Sequence, residues 1–202
     1  MQLAIASPIN RATRHLPTWV VYLAGLIPLA WVVWLVLSGG IGVDPVKGIE
    51  HRLGKIALWF LIGGLVISPL RRITGVNLLR YRRAAGLLGF FYVALHLMAW
   101  IVLDMALLWS QLLPDLYRRP YLLFGIAAFA LLIPLAVTSN NASIRRLGKN
   151  WRRLHWLVYP AVGLGLLHYL WQMKVISGEG WIWTLVFVAL LGARLFWRFR
   201  GR

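Results

Sequence analysis

Long apolar segments alternate with short polar ones along this chain of 202 residues. An α-helix needs roughly 20 apolar residues, and at least about 17, to cross the hydrocarbon core of a bilayer. Six segments meet this requirement, at about residues 18–37, 53–70, 84–103, 121–138, 154–173 and 181–199. The pattern therefore predicts an all-α integral membrane protein, in which a bundle of six transmembrane helices forms a single domain over residues 1–202.

The overall composition agrees with a membrane protein. Hydrophobic residues make up 60% of the chain, the mean hydropathy is +0.72, and 13% of residues are charged, about half the share in soluble domains. The absence of cysteine excludes disulfides, thiolate-bound iron–sulfur clusters and covalent c-type haem attachment. The sequence contains no P-loop or dinucleotide fingerprint, so the chemistry is expected within the bundle or in a partner protein.

The charges are distributed unevenly between the two ends of the predicted helices. Sixteen of the 22 basic residues fall in the N-terminal segment, in residues 71–83 and 139–153, and at the C-terminal end. The opposite loops contain five basic residues, and all five acidic residues lie on that side or at its boundary. Because cytoplasmic loops carry the excess of Lys and Arg, both termini are predicted to be cytoplasmic. Topology thus explains the net charge of +17, and no nucleic-acid partner is expected.

Two histidines lie at similar depths inside predicted helices. His96 lies 13 residues beyond Arg83, about 20 Å from the inner boundary, and His168 lies 15 residues beyond Arg153, about 22 Å from it. An imidazole in hydrocarbon needs a partner, and two imidazoles at one level can occupy both axial positions of a haem iron. Zinc would require more ligands. The alternative is that each histidine is buried and bonded to a hydroxyl or carbonyl group.

A second haem is harder to build from this sequence. His155 lies near the cytoplasmic boundary, and its side chain would point about 140° away from that of His168 on an ideal helix. Pro160 can kink the helix between them. The third predicted helix carries Arg82 and Arg83 where a second inner histidine would be needed. We therefore expect one haem and leave a second open, with His155 either a further haem ligand or a boundary residue.

Several short motifs, in a characteristic order, resemble the MsrQ family (formerly YedZ) over about residues 16–198. This family of haem-binding membrane subunits belongs to the ferric reductase-like transmembrane superfamily. The motifs are His51-Arg-Leu-Gly-Lys, Ser68-Pro69-Leu70-Arg71-Arg72, Arg82-Arg83-Ala84-Ala85-Gly86-Leu87 leading to His96, Thr138-Ser139-Asn140, Arg146-Leu147-Gly148, Trp151, Leu154-His155, Tyr159 and His168. No single motif is specific to the family, but their order and spacing together are.

The resemblance implies a b-type flavocytochrome of the Gram-negative inner membrane that binds haem b and FMN. It would pass electrons outward to an MsrP-like periplasmic molybdenum-cofactor reductase, which restores oxidised methionine in envelope proteins. His96, His155 and His168 match haem-associated histidines of the family. His51, at the outer start of the second predicted helix, matches a histidine of some members, and is either a boundary residue or a propionate contact.

The same resemblance implies an electron-transfer subunit without catalytic residues of its own. The chain has no nicotinamide-binding domain, so its electrons would come from the quinone pool or from a cytosolic flavin reductase. Inner arginines, including Arg82, Arg83, Arg152 and Arg153, offer guanidinium groups that match the geometry of the FMN phosphate. The alternative for each of these arginines is a topological anchor at the lipid surface.

Two other classes of function remain open from the sequence. One is another transmembrane haem redox protein on the same scaffold, such as a quinol or ferric reductase. The other is a membrane transporter or assembly factor without a cofactor. The presence or absence of haem separates these two classes.

Overall fold

A computed structural model describes residues 6–200, which are almost entirely helical and contain no β-strand. Short 3₁₀ and π turns connect some of the helices. The ten α-helices in the described range are α1 (Ala6–His15), α2 (Thr18–Leu37), α3 (Pro45–Thr74), α4 (Arg82–Ala99), α5 (Leu112–Arg118), α6 (Tyr121–Val137), α7 (Asn141–Leu147), α8 (Lys149–Leu154), α9 (Val158–Trp171) and α10 (Gly178–Arg200).

Four helical segments are long and apolar enough to cross a membrane by themselves. They are α2, α3, α10 and α4 together with its flanking turns. A fifth span is obtained if α6 is counted with α5, although the two helices are bent by 112° relative to each other. All six predicted segments are largely helical, but α9 has only 14 residues. The chain is therefore an all-helical, multi-pass membrane protein with four to five spans by this measure.

Helix α3 begins eight residues before the predicted start, because the sequence supplies a strong helix N-terminus there. Asp44 is the N-cap and accepts a hydrogen bond from the Lys47 backbone N–H at 3.1 Å, and Pro45 occupies the first helical position. The helix ends at Thr74 and is capped by Gly75, whose left-handed φ of 82° suits glycine. His51 consequently lies well inside α3 rather than at its start.

The predicted helix over residues 154–173 is interrupted, which corrects the expectation of one continuous span. Helix α8 ends at Leu154, a 3₁₀ turn covers His155–Leu157, and α9 follows. Pro160 has no N–H to donate to the Trp156 carbonyl, and its ring crowds that carbonyl, so regular α-helical bonding cannot cross this point. Pro160 is tolerated because it lies in the first turn of α9. The break places His155 outside the helix that carries His168.

Two antiparallel helix pairs, α3 with α4 and α6 with α9, form the centre of the bundle. Gly64 lies beside Ala85 in the first pair, and Tyr121 lies beside His168 in the second. Helix α3 is the most deeply buried span, whereas α2 and α10 expose most of their surface, as lipid-facing helices do. The largest buried cluster contains Leu58, Leu61, Ile62, Leu65, Leu132, Leu135, Ala161, Val162, Leu166, Tyr169 and Phe187.

Helix α2 is attached to α4 through a side chain inserted into its backbone. The fully buried Tyr92 hydroxyl donates to the Gly25 carbonyl at 2.7 Å and accepts from the Leu29 N–H at 3.1 Å. These two backbone groups would bond each other in a regular helix. Pro28 already disrupts the neighbouring bond, so the hydroxyl satisfies groups that a kinked helix leaves free.

We expect Tyr92→Phe to lower the free energy of unfolding by about 1–2 kcal/mol, because both backbone groups lose their partner in an apolar environment. Thermal unfolding of the full chain in detergent measures the change. Tyr117→Phe, at a tyrosine whose exposed fraction is 90%, is the matched control. Equal stability of Tyr92→Phe and the control would contradict this role for the hydroxyl.

Candidate functional site: two stacked cavities and a histidine pair

The imidazoles of His96 and His168 face each other across the centre of the bundle. Their ring centres are 6.0 Å apart, and the ring planes are inclined at 73°. His96 comes from α4 and His168 from α9, so each of the two central helix pairs contributes one ring. With metal–nitrogen bonds of about 2 Å, two axial imidazoles on one iron have ring centres about 6 Å apart. The observed spacing fits that requirement.

Each imidazole is oriented by a hydrogen bond to a backbone carbonyl of a neighbouring helix. Nδ1 of His96 lies 2.9 Å from the Glu50 carbonyl oxygen, and Nδ1 of His168 lies 2.8 Å from the Tyr121 carbonyl oxygen. A carbonyl oxygen only accepts hydrogen bonds, so Nδ1 carries the proton in both rings. Nε2 is then left with its lone pair, which is the form of histidine that binds a metal.

A glycine four residues after each carbonyl makes this contact sterically feasible. Gly54 follows Glu50 and packs on the His96 ring, and Gly125 follows Tyr121 and packs on the His168 ring. A Cβ atom would lie 3.3 Å from the ring at position 54 and 2.9 Å from it at position 125. The glycines therefore let each ring lie flat against the backbone of a neighbouring helix. The pattern of a carbonyl and a glycine at i+4 is repeated in the two helix pairs.

The space between the two rings belongs to a narrow cavity of about 100 Å³, which we call the outer cavity. Small residues from three helices line it, namely Gly54, Ala57, Gly125, Ala128, Ala161 and Gly165. These small side chains leave space between the two rings for a ligand. The polar side chains of Glu50, His51, Lys55, Trp100 and Gln172 also line this cavity. His51 therefore lines the same cavity as the histidine pair.

A second and larger cavity of about 640 Å³, the inner cavity, lies toward the basic end of the bundle. Within the described range, no acidic residue lines it. The arginines that line it are Arg80, Arg82, Arg83, Arg152 and Arg194. Of the four arginines predicted to bind a cofactor, three therefore share one cavity. Arg153 does not line it.

His155 also lines the inner cavity, but its imidazole is bonded differently from the other two. The Thr138 hydroxyl donates to the Pro134 carbonyl at 2.6 Å, so the contact at 3.1 Å between that hydroxyl and His155 requires Nε2 to be the donor. The ring also stacks on Trp151, with centres 3.9 Å apart. Nε2 is occupied in His155, whereas no hydrogen bond among the described residues occupies it in His96 or His168.

Arg194 is a site residue that the sequence did not indicate. Its position near the end of α10 is compatible with a side chain that reaches the lipid interface, but the guanidinium turns inward. It donates to the Tyr159 hydroxyl and to the Leu65 carbonyl, and its Nε is buried without a hydrogen-bond partner among the described residues. Arg198, one turn further along, instead lies over the Trp156 ring at 4.7 Å. Only the three-dimensional packing distinguishes these two arginines.

A thin apolar wall separates the two cavities. Leu61 and Leu132 line both of them, so each leucine has one cavity on either side. Phe90 on the inner side stacks on Phe129 on the outer side, with ring centres 5.6 Å apart and planes 3° apart. Gly89 leaves room for Leu61, since a Cβ atom there would lie 2.7 Å from the leucine side chain. The two cavities are therefore adjacent, with these apolar side chains between them.

Comparison with known proteins identifies the class to which this bundle belongs. Residues 51–166 match the family described as the ferric reductase like transmembrane component. The matched region includes His51, His96 and His155 and ends two residues before His168.

More specific relatives are proteins of three Brucella species, B. ovis, B. canis and B. suis. Each is named protein-methionine-sulfoxide reductase heme-binding subunit MsrQ, and each is 45% identical to this chain over 180 residues. The similarity covers 89% of this chain and 80% of each relative. The chain therefore belongs to the MsrQ group of the ferric reductase-like transmembrane family.

The glycine contacts can be tested by adding one methyl group. Gly125→Ala would place a Cβ against the His168 ring and break its bond to Tyr121. Because second-shell contacts of metal-bound histidines contribute about 10- to 100-fold in affinity, we expect a loss of haem binding of that size. The measurement is haem content and the Soret band of purified protein. Gly63→Ala, where a Cβ meets no described atom within 4 Å, should bind haem normally. Equal haem content in both variants would contradict a role of His168 as a haem ligand.

Proposed function

We propose that this chain is the membrane electron carrier of a periplasmic methionine sulfoxide reductase system. It would carry electrons across the inner membrane of a Gram-negative bacterium to an MsrP-like molybdenum-cofactor reductase, which performs the repair reaction. The observation that supports this most directly is the facing pair His96 and His168, each with a free Nε2, in a chain 45% identical to MsrQ proteins.

We further propose six transmembrane spans in a single domain, with both termini in the cytoplasm. The inner cavity and its arginines then lie at the cytoplasmic end, and the histidine pair lies toward the periplasm. The charge distribution supports this orientation, since 16 of 22 basic residues fall on the side assigned to the cytoplasm. The interrupted segment at residues 149–171 crosses as α8, the 3₁₀ turn and α9 in sequence.

In this proposal, His96 and His168 hold one haem b by their Nε2 atoms. Haem would supply one-electron transfer at that site, and FMN would supply the exchange between two-electron and one-electron donors. The carbonyls of Glu50 and Tyr121 hold the two rings in the metal-binding tautomer. His155 is assigned to the inner cavity as a cofactor contact rather than to a second iron, because Thr138 occupies its Nε2.

The inner cavity is the proposed site for FMN. Five guanidinium groups line it and no described acidic residue does, so the chamber is strongly positive and attracts an anion. The phosphate of FMN supplies such a charge, and Arg82, Arg83 and Arg152 offer the planar forks that bind it. Arg194, bound to Tyr159, would add a further donor.

The function is tested by reconstituting the full chain in lipid vesicles with the cognate periplasmic molybdoenzyme. We expect the reduced protein to deliver electrons to that enzyme, measured as consumption of methionine sulfoxide. His96→Ala and His168→Ala should each lose the Soret band and the transfer, whereas His15→Ala, outside the bundle, should lose neither. Supplying either a quinol or a cytosolic flavin reductase identifies the electron donor.

Two outcomes of this experiment would overturn the proposal. Protein from haem-replete cells without a Soret band would leave a transporter or assembly factor as the remaining class. Protein that contains haem but reduces quinone or ferric iron, and not the molybdoenzyme, would indicate another haem redox protein on the same scaffold.

The FMN site is tested by two adjacent arginines. Arg152 lines the inner cavity and Arg153 does not, although both are exposed and carry the same topological charge. Because a hydrogen bond to a charged group contributes about 1.5–3 kcal/mol, we expect Arg152→Gln to weaken FMN binding by about tenfold or more, with Arg153→Gln unchanged. The effect is measured as the amount of FMN released from the protein per haem, quantified by its fluorescence. Equal FMN retention by the two variants would exclude Arg152 as a phosphate ligand.

A further inference from the structure

Four buried side-chain atoms in the described range lack a hydrogen-bond partner, and all four belong to residues that line the two cavities. They are Oε1 of Glu50, Nε1 of Trp100, the hydroxyl of Tyr169 and Nε of Arg194. Buried polar groups are almost always paired, and the cost of leaving one unpaired is greatest in a membrane. Their coincidence with the cavities indicates that bound ligands complete these bonds.

Trp100 is the clearest of the three in the outer cavity. Its exposed fraction is 7%, and its indole has only one polar atom, a donor. The Tyr169 hydroxyl lies beside Glu179, which offers it an alternative partner. Glu50 presents an acceptor rather than a donor, and its backbone carbonyl already holds His96. No described residue accepts a hydrogen bond from the Trp100 N–H, so this donor is available to an acceptor bound in the outer cavity.

The backbone around Trp100 is also irregular. Helix α4 changes at this residue into a π-helical turn, Trp100–Asp104, in which the Met105 N–H bonds to the Trp100 carbonyl at 2.9 Å. Single π turns within helices frequently occur at functional sites, because they redirect side chains. Trp100 lies four residues beyond His96, one turn closer to the outer end of the bundle.

If the cavity holds haem, as the proposed function requires, the acceptor of the Trp100 N–H can be identified chemically. Haem carries two propionate carboxylates, and no other group on its rim is a strong hydrogen-bond acceptor. His51, Lys55 and Gln172 line the same cavity and are able to donate. A charge-assisted bond from an indole N–H to a carboxylate in an apolar site is a strong contact.

We propose that Trp100 is a positioning residue for the haem, whose indole N–H donates to a propionate carboxylate in the outer cavity. This contact would hold the haem through a carboxylate, whereas His96 and His168 would hold it through the iron. It also compensates for the buried carboxylate charge, so its loss favours the oxidised haem and lowers the midpoint potential.

The test compares Trp100→Phe, which removes only the donor, with Trp109→Phe at an exposed tryptophan of the same loop region. Both full-length proteins are reconstituted with haem and, separately, with haem dimethyl ester, in which the carboxylates are neutralised. The measurements are the rate of haem transfer to an excess of an apo-globin and the midpoint potential by optical titration.

We expect Trp100→Phe to release haem about tenfold faster than wild type, with a lower midpoint potential and an unchanged bis-histidine spectrum. Trp109→Phe should match wild type. With haem dimethyl ester, Trp100→Phe and wild type should release the ligand at similar rates, as in a double-mutant cycle.

Release of haem at the wild-type rate by Trp100→Phe would overturn the assignment. Equally faster release of haem and of its dimethyl ester would also overturn it, because the indole would then act through packing alone. Wild-type protein that binds no haem would instead refute the proposed function on which this inference rests.

Discussion

Both nitrogens of an imidazole in hydrocarbon need partners, and the architecture of this bundle follows from that requirement. His96 and His168 each satisfy Nδ1 with a backbone carbonyl of the neighbouring helix, which leaves Nε2 for a ligand from outside the chain. In both cases a glycine lies four residues beyond the carbonyl, where a Cβ atom would crowd the ring. Close packing of α3 on α4 and of α6 on α9 is therefore part of the site itself.

The sequence predicted the features that depend on length and periodicity. The bounds of α2 match the prediction at both ends. The estimated depths of His96 and His168 along their helices were similar, and the two rings face each other in the structure. The predicted start of α3 was wrong because it was based only on the length of the apolar segment. The helix begins earlier, among polar residues, because Asp44 and Pro45 form a strong helix N-terminus. The break before Pro160 was foreseen as a kink, but its consequence, a 3₁₀ turn that carries His155, depends on how the local backbone bonds are satisfied.

Other parts of the site depend on contacts between distant segments and were not accessible from the sequence. Gly54 and Gly125 resemble any other glycine of a membrane helix until the ring above each one is seen. Arg194 and Arg198 have the same type and lie on the same helix, yet one binds Tyr159 and Leu65 while the other covers a tryptophan ring. The partner of His155 is Thr138, which is 17 positions away.

The leucine wall between the cavities has a consequence for bioenergetics. Electrons cross a single layer of side chains by tunnelling, whereas a proton or metal ion requires a chain of water or polar groups. Leu61 and Leu132 offer no such groups, and both are almost completely buried. In the proposed function, this wall would let electrons pass while presenting ions with a high desolvation barrier between the two cavities, so repair of proteins outside the membrane need not dissipate the proton gradient across it.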